Sequence, residues 1–103
     1  MVGPVADNAL KNFRVDKAFI GTNGVSIING LTTPNIIEAN TKREMIKIAE
    51  QIIVVCDHTK FSTVYFAKIV DLDSVDIIIT DNQIDDDILK EFEEKDVKIM
   101  KSK

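Results

Sequence analysis

Tryptophan is absent from this chain, and cysteine and histidine occur once each. A single cysteine excludes an internal disulfide and fits a reducing compartment. Cys56 closes the apolar run IIVVC, so a buried structural thiol is expected rather than a nucleophile. His58 has no second His or Cys at ligand spacing, so neither zinc nor another metal is expected. No apolar run approaches the roughly 18 residues of a membrane span, and the amino terminus lacks a signal-peptide pattern. A cytoplasmic protein without a membrane partner follows as the expectation. Glycine and proline number only four and two, and no linker, repeat or low-complexity tract interrupts the 103 residues. One domain spanning 1–103 is expected. GxGxxG and GxxxxGK[ST] are both missing, which removes the familiar nucleotide-phosphate loops, and no cofactor is expected.

Basic clustering is missing too. Thirteen Lys and Arg stand against seventeen Asp and Glu, a net charge of −4. Gripping DNA phosphates needs clustered Lys and Arg, so any DNA contact must be made by another segment.

What the chain does have is a long stretch, residues 30–60, that reads as one helix feeding a buried strand. Thr33 is a suitable N-cap, with Pro34 at the first helical position. At 100° per residue, Ile37, Ala39, Thr41, Met45, Ile46, Ile48 and Ala49 form one apolar stripe. Asn40, Arg43, Glu44 and Lys47 fall on the solvent side. Glu38 and Lys42 break the pattern by lying within the stripe. Either they form a local i,i+4 ion pair worth roughly 0.2–0.5 kcal/mol, or they line a wet cleft. Full burial would cost several kcal/mol per ion.

The remaining chain alternates helix and strand. A short helix is expected over 5–13, from Val5, Ala6, Ala9, Leu10 and Phe13. A buried strand at 18–21 is followed by the turn Thr22-Asn23-Gly24, and 25–29 reads as an irregular or weakly extended connection. The continuous apolar run 51–56 suits a parallel strand covered on both faces, with Asp57-His58-Thr59-Lys60 at its carboxyl end. Residues 64–70 lean towards strand, 71–76 read as a polar turn, and 76–80 as a buried strand ending at Asp81. Helix 85–95 presents Ile84, Ile88, Leu89 and Phe92 on one face, and Asp85, Asp86 and Asp87 lie at the positive end of its dipole. Residues 97–100 close the chain as an edge strand. The pattern defines an α/β fold, a mostly parallel, Rossmann-like sheet with flanking helices, whose ligands gather at the carboxyl edge.

Four segments then carry a resemblance: the G-x-N-G turn in FIGTNGV, G-L-T followed by E-A-x-x-K-R-x-M, D-x-x-K-F after the central strand, and VDIIITDN. In this order they resemble the carboxyl-terminal half of the sugar-phosphate sensor domain of DeoR-type bacterial transcriptional repressors. The resemblance covers nearly the whole chain. It implies an effector-binding domain that takes a phosphorylated sugar and modulates DNA binding by an amino-terminal helix-turn-helix missing from this chain. The family's first sensor strands and D-x-G-T-T loop are also missing. The chain therefore reads as a truncated sensor fragment, with an unpaired sheet edge that favours a homo-oligomer. The sensor fold is similar to ribose-5-phosphate isomerase, whose G-A-D-E turn supplies a catalytic carboxylate. Asn23 stands at the place of that aspartate, and an asparagine does not abstract a proton as a carboxylate does. The resemblance thus implies a binding domain rather than an enzyme. The alternative reading is a fragment of a sugar-phosphate (aldose–ketose) isomerase-like enzyme. The expected ligand-binding residues are Asn23, Gly24, Thr32, Thr33, Glu38, Lys42, Asp57 and Lys60.

Overall fold

The structure, a computed structural model, describes residues 14–102. The helix expected over 5–13 lies outside the described residues. Four strands, β1 (Val15–Gly21), β4 (Ala49–Val55), β6 (Ile77–Thr80) and β7 (Ile99–Lys101), form an all-parallel sheet in the order β1-β4-β6-β7. Helix α1 (Ile36–Ile48) feeds β4, and helix α2 (Asp86–Glu94) connects β6 to β7. The α/β class and the parallel sheet expected from the sequence are therefore present.

A second sheet was not expected. Strands β2 (Gly24–Ser26), β3 (Gly30–Thr33) and β5 (Ala67–Val70) form a small antiparallel sheet, so the connection at 25–29 is extended over Val25 and Ser26 and then turns, as part of a hairpin. Gly30 permits its turn into β3: its φ is +71°, and a Cβ there would stand 2.2 Å from the Val70 carbonyl oxygen. Of the ambiguous stretch 64–70, only Ala67–Val70 pairs.

The main core joins the two sheets. Val54 and Ile78 of the parallel sheet meet Leu31 and Ile69 of the small one, with Phe92 of α2 and Ala39 of α1. Phe61 and Phe92 contact edge to face, 5.2 Å between centroids. A smaller cluster of Ala18, Ile20 and Ile52 is covered by Met45 and Ile46 of α1.

This arrangement changes the reading of α1. Its N-cap is Asn35, not Thr33: the Asn35 side chain accepts from the Glu38 N–H at 3.0 Å. Thr33 is instead the last residue of β3, paired with Ala67, and the helix cannot begin until the strand has ended. Ile37, expected on the inward stripe, is 56 % exposed. Arg43 and Glu44, expected in solvent, are half-buried because the small sheet flanks them. Arg43 donates from Nη1 to the Lys68 carbonyl oxygen of β5 at 2.6 Å. Lys47 stays exposed, 3.3 Å from Glu44. The helix also runs into β4 without a loop, two residues before the expected strand start.

Candidate functional site

Parallel strands place their carboxyl ends on one edge. Gly21 of β1 pairs with Val55 of β4, and Val55 with Ile79 of β6, so the segments after them emerge side by side. Because α1 precedes β4, its amino end opens on the same edge.

At the end of β1 the turn is tightly constructed. Thr22 is buried, its Oγ1 3.0 Å from the Gly24 carbonyl oxygen and 3.1 Å from that of Thr32. Gly24 is required by close approach: a Cβ would stand 2.3 Å from the Thr63 carbonyl oxygen and 2.6 Å from Thr32 Oγ1. Thr33 donates its hydroxyl to Asn23 Oδ1 at 3.1 Å, and the Asn23 amide N–H groups have no acceptor among the described residues. Thr32 accepts from the Tyr65 N–H at 3.0 Å. Both threonines are buried, so they support the turn from beneath and do not reach the surface of the edge.

Glu38 and Lys42 meet above this turn. Lys42 Nζ lies 2.7 Å from Glu38 Oε1 and donates to the Gly21 carbonyl oxygen at 2.6 Å. The lysine side chain is 18 % exposed and the glutamate 44 %. They are the i,i+4 pair of one expectation and also border a cleft, as the other required. Together with Asn35, Ile37, Thr41 and Met45 they line a cavity of about 320 Å³. Beside it, the Glu38 N–H is taken by the cap and the Ala39 N–H by the Asn35 carbonyl. The N–H groups of Ile36 and Ile37 have no acceptor among the described residues.

The β4 and β6 ends contribute a second group. Asp57 caps a 3-10 turn, His58–Lys60, accepting from the Thr59 N–H at 2.8 Å and from the Thr59 hydroxyl. These two bonds hold its carboxyl below the usual aspartate range. Lys60 Nζ stands 3.7 Å away, an i,i+3 ion pair within the loop. The sequence reading missed the partner of His58. Asp81, at the end of β6, accepts from the His58 N–H at 3.0 Å and lies 3.0 Å from its Nδ1 through both oxygens. The His58 side chain, then its backbone N–H, lowers the Asp81 carboxyl below its ordinary value. Asp81 directly follows β6 and His58 lies three residues beyond β4, so both fall at carboxyl ends of strands, VVCDH and IIITD, and that shared edge was the available signal. Atoms of Asp57, His58 and Asp81 lie within 4.8 Å of one another, a set of metal-ligand type. Lys60 already supplies a cation beside them. Burial, aided by Asp57 and Asp81, pushes the Cys56 thiol up to about 12, so it stays protonated and is no nucleophile.

One α/β edge thus carries a lysine with two acceptors, two helix N–H groups without an acceptor among the described residues, and two carboxylates held below their ordinary range. Comparison with known proteins gives this edge a family. The sequence model of the DeoR C terminal sensor domain matches residues 1–82. The chain is 34 % identical over 100 residues to the HTH-type transcriptional regulator GlpR of Haloferax volcanii, covering 97 % of this chain and 39 % of that protein. It is 35 % identical over 98 residues to the putative aga operon transcriptional repressor of Escherichia coli O157:H7, covering 95 % and 36 %. Against the deoxyribose operon repressor of Escherichia coli K12 the identity is 33 % over 91 residues, covering 88 % and 36 %. The chain belongs to the DeoR family, as part of its carboxyl-terminal sensor domain, and spans well under half the length of these relatives. Its relatives are named as transcriptional regulators and repressors, and the family is regulatory rather than enzymatic. No helix among the described residues is long and apolar enough to cross a membrane.

Proposed function

We propose that the carboxyl edge binds a phosphorylated sugar, and that its occupancy modulates DNA binding by a helix-turn-helix elsewhere in a cytoplasmic, homo-oligomeric regulator of sugar metabolism. The observation that carries this reading is Lys42, whose ammonium is held by Gly21 and Glu38 at the mouth of a cavity bordered by the amino end of α1. A phosphate there meets a cation and the free N–H groups of Ile36 and Ile37. Lys60 supplies a second countercharge. Asn23 donates from its amide, and Gly24 keeps the turn beneath it tight by admitting Thr63 and Thr32 at close range. Glu38 and Asp57 accept from sugar hydroxyls, while Thr32 and Thr33 hold the turn from below. A ligand that binds one form of the full regulator better than the other shifts its equilibrium by that difference in affinity.

Calorimetric titration with a panel of sugar phosphates, each beside its unphosphorylated parent, tests the reading. Saturable binding confined to phosphorylated members is the expected result. Equal affinity for sugar and sugar phosphate, or no binding by either the chain or the full-length regulator, would refute it.

A further inference from the structure

His58 is not among the expected ligand-binding residues, yet its surroundings fix what its ring can do. Asp81 accepts from the backbone N–H of His58 at 3.0 Å and from that of Gln83 at 2.8 Å. Both of its oxygens also lie 3.0 Å from Nδ1 of the His58 ring. An ionised carboxylate only accepts, so the ring nitrogen that faces it carries the hydrogen. In a neutral imidazole the other nitrogen is then an acceptor. That atom, Nε2, has no hydrogen-bond partner among the described residues, and the side chain is 41 % exposed. What it accepts from follows from the charges around it. Asp57 and Asp81 lie beside the ring, against the single ammonium of Lys60. A phosphate meets net repulsion there, and a hydroxyl does not. At the neighbouring strand end, Lys42 and the amino end of α1 favour an anion instead. Gly21, which holds Lys42, and Val55, three residues before His58, are register partners, so one small ligand can face both.

We propose that His58 is a ligand-binding residue and Asp81 its positioning residue, with Nε2 accepting a sugar hydroxyl at the end of the ligand away from its phosphate. The inference rests on the reading of this edge as a sugar-phosphate site, and it names the residue that reads the sugar. Asp81 acts only through the ring. By holding the hydrogen on Nδ1 it keeps the Nε2 lone pair available, and by bonding the His58 backbone as well it fixes the turn that carries the ring.

His58 is the one histidine of the chain, so nitrogen-15 NMR reads its ring without ambiguity. At about pH 8, above the ordinary histidine range, the Nδ1–H form is expected. Asp81→Ala should return the ring to the Nε2–H form that a free histidine side chain favours. An unaltered chain in the Nε2–H form overturns the role of Asp81. Ribose 5-phosphate, glucose 6-phosphate and fructose 6-phosphate, with binding checked by calorimetry, test the contact. A sugar phosphate that binds should shift the Nε2 resonance, and inorganic phosphate at the same ionic strength should leave it in place. Binding with Nε2 unmoved, or an equal shift with inorganic phosphate, overturns the contact and spares the reading of the edge. His58→Asn keeps an N–H for Asp81 but has no atom at the place of Nε2. It should weaken that binding about fivefold, the worth of one hydrogen bond. Unchanged affinity overturns the contact as well. If no sugar phosphate binds, the contact falls together with the reading of the edge, and the tautomer still judges Asp81.

Discussion

Lys42 is the residue on which the proposed ligand binding and the stability of the fold would meet. Removing it leaves Glu38 without its cation and the Gly21 carbonyl without a donor. An exposed i,i+4 pair is worth at most about 0.5 kcal/mol, whereas breaking a buried pair costs roughly 3–5 kcal/mol. With the lysine mostly covered and the glutamate half open, Lys42→Ala is expected to destabilise by about 1–2 kcal/mol. The same change should weaken sugar-phosphate binding by about 1.5–3 kcal/mol, the worth of a hydrogen bond to a charged group. Urea denaturation and calorimetry measure the two effects, and a variant unchanged in both would show that Lys42 is a surface ornament. Asp57 and Asp81 give a second residue-scale expectation. Both carboxyls sit below their ordinary value of 3.8 when folded. Their contribution is therefore complete above the unfolded pKa and is lost as pH falls through the folded one. The melting temperature should fall below about pH 4, and Asp81→Asn should make that acid limb shallower. Superimposable acid limbs would remove Asp81 from the account.

At the scale of the element, α1 shows what was legible in the sequence and what was not. The helix, the strand after it and the cleft-facing Glu38–Lys42 pair could all be read from periodicity and spacing. Its start could not, because Thr33, Pro34 and Asn35 present two good caps in succession. Only the pairing of Thr33 with Ala67, far away in sequence, decides between them. Asn35→Ala is accordingly expected to cost about 1 kcal/mol of helix stability in thermal or urea unfolding. A loss below about 0.3 kcal/mol would count against Asn35 as the cap. The small antiparallel sheet was illegible for a similar reason. Its strands are three or four residues long, and most of β3 is buried on both faces, so no alternation betrays it. Without that sheet, Arg43 and Glu44 look like solvent residues. The His58–Asp81 contact likewise depends on β4 and β6 being neighbours, which residue spacing does not state.

At the scale of the whole molecule, charge and topology divide the labour of regulation. The chain carries a net charge of −4, and both helices among the described residues pack against sheets rather than standing free. It is expected to show no sequence-selective DNA binding in a gel shift at physiological salt, where phosphate contacts need clustered cations. A selective shift by residues 1–103 would contradict that. One feature of the fold also bears on how its length can change. Ile48 ends α1 and Ala49 begins β4, so a period of 3.6 residues hands over to a period of 2 with no spacer. One extra residue at this junction would put the pleat out of phase with the helix. Ile52 and Val54 would turn from the core towards the opposite face, where Gln51 and Val55 now lie. An insertion scan should therefore find this boundary intolerant, while the hairpin turn at Ile28, 86 % exposed, accepts the same extra residue and still yields soluble protein.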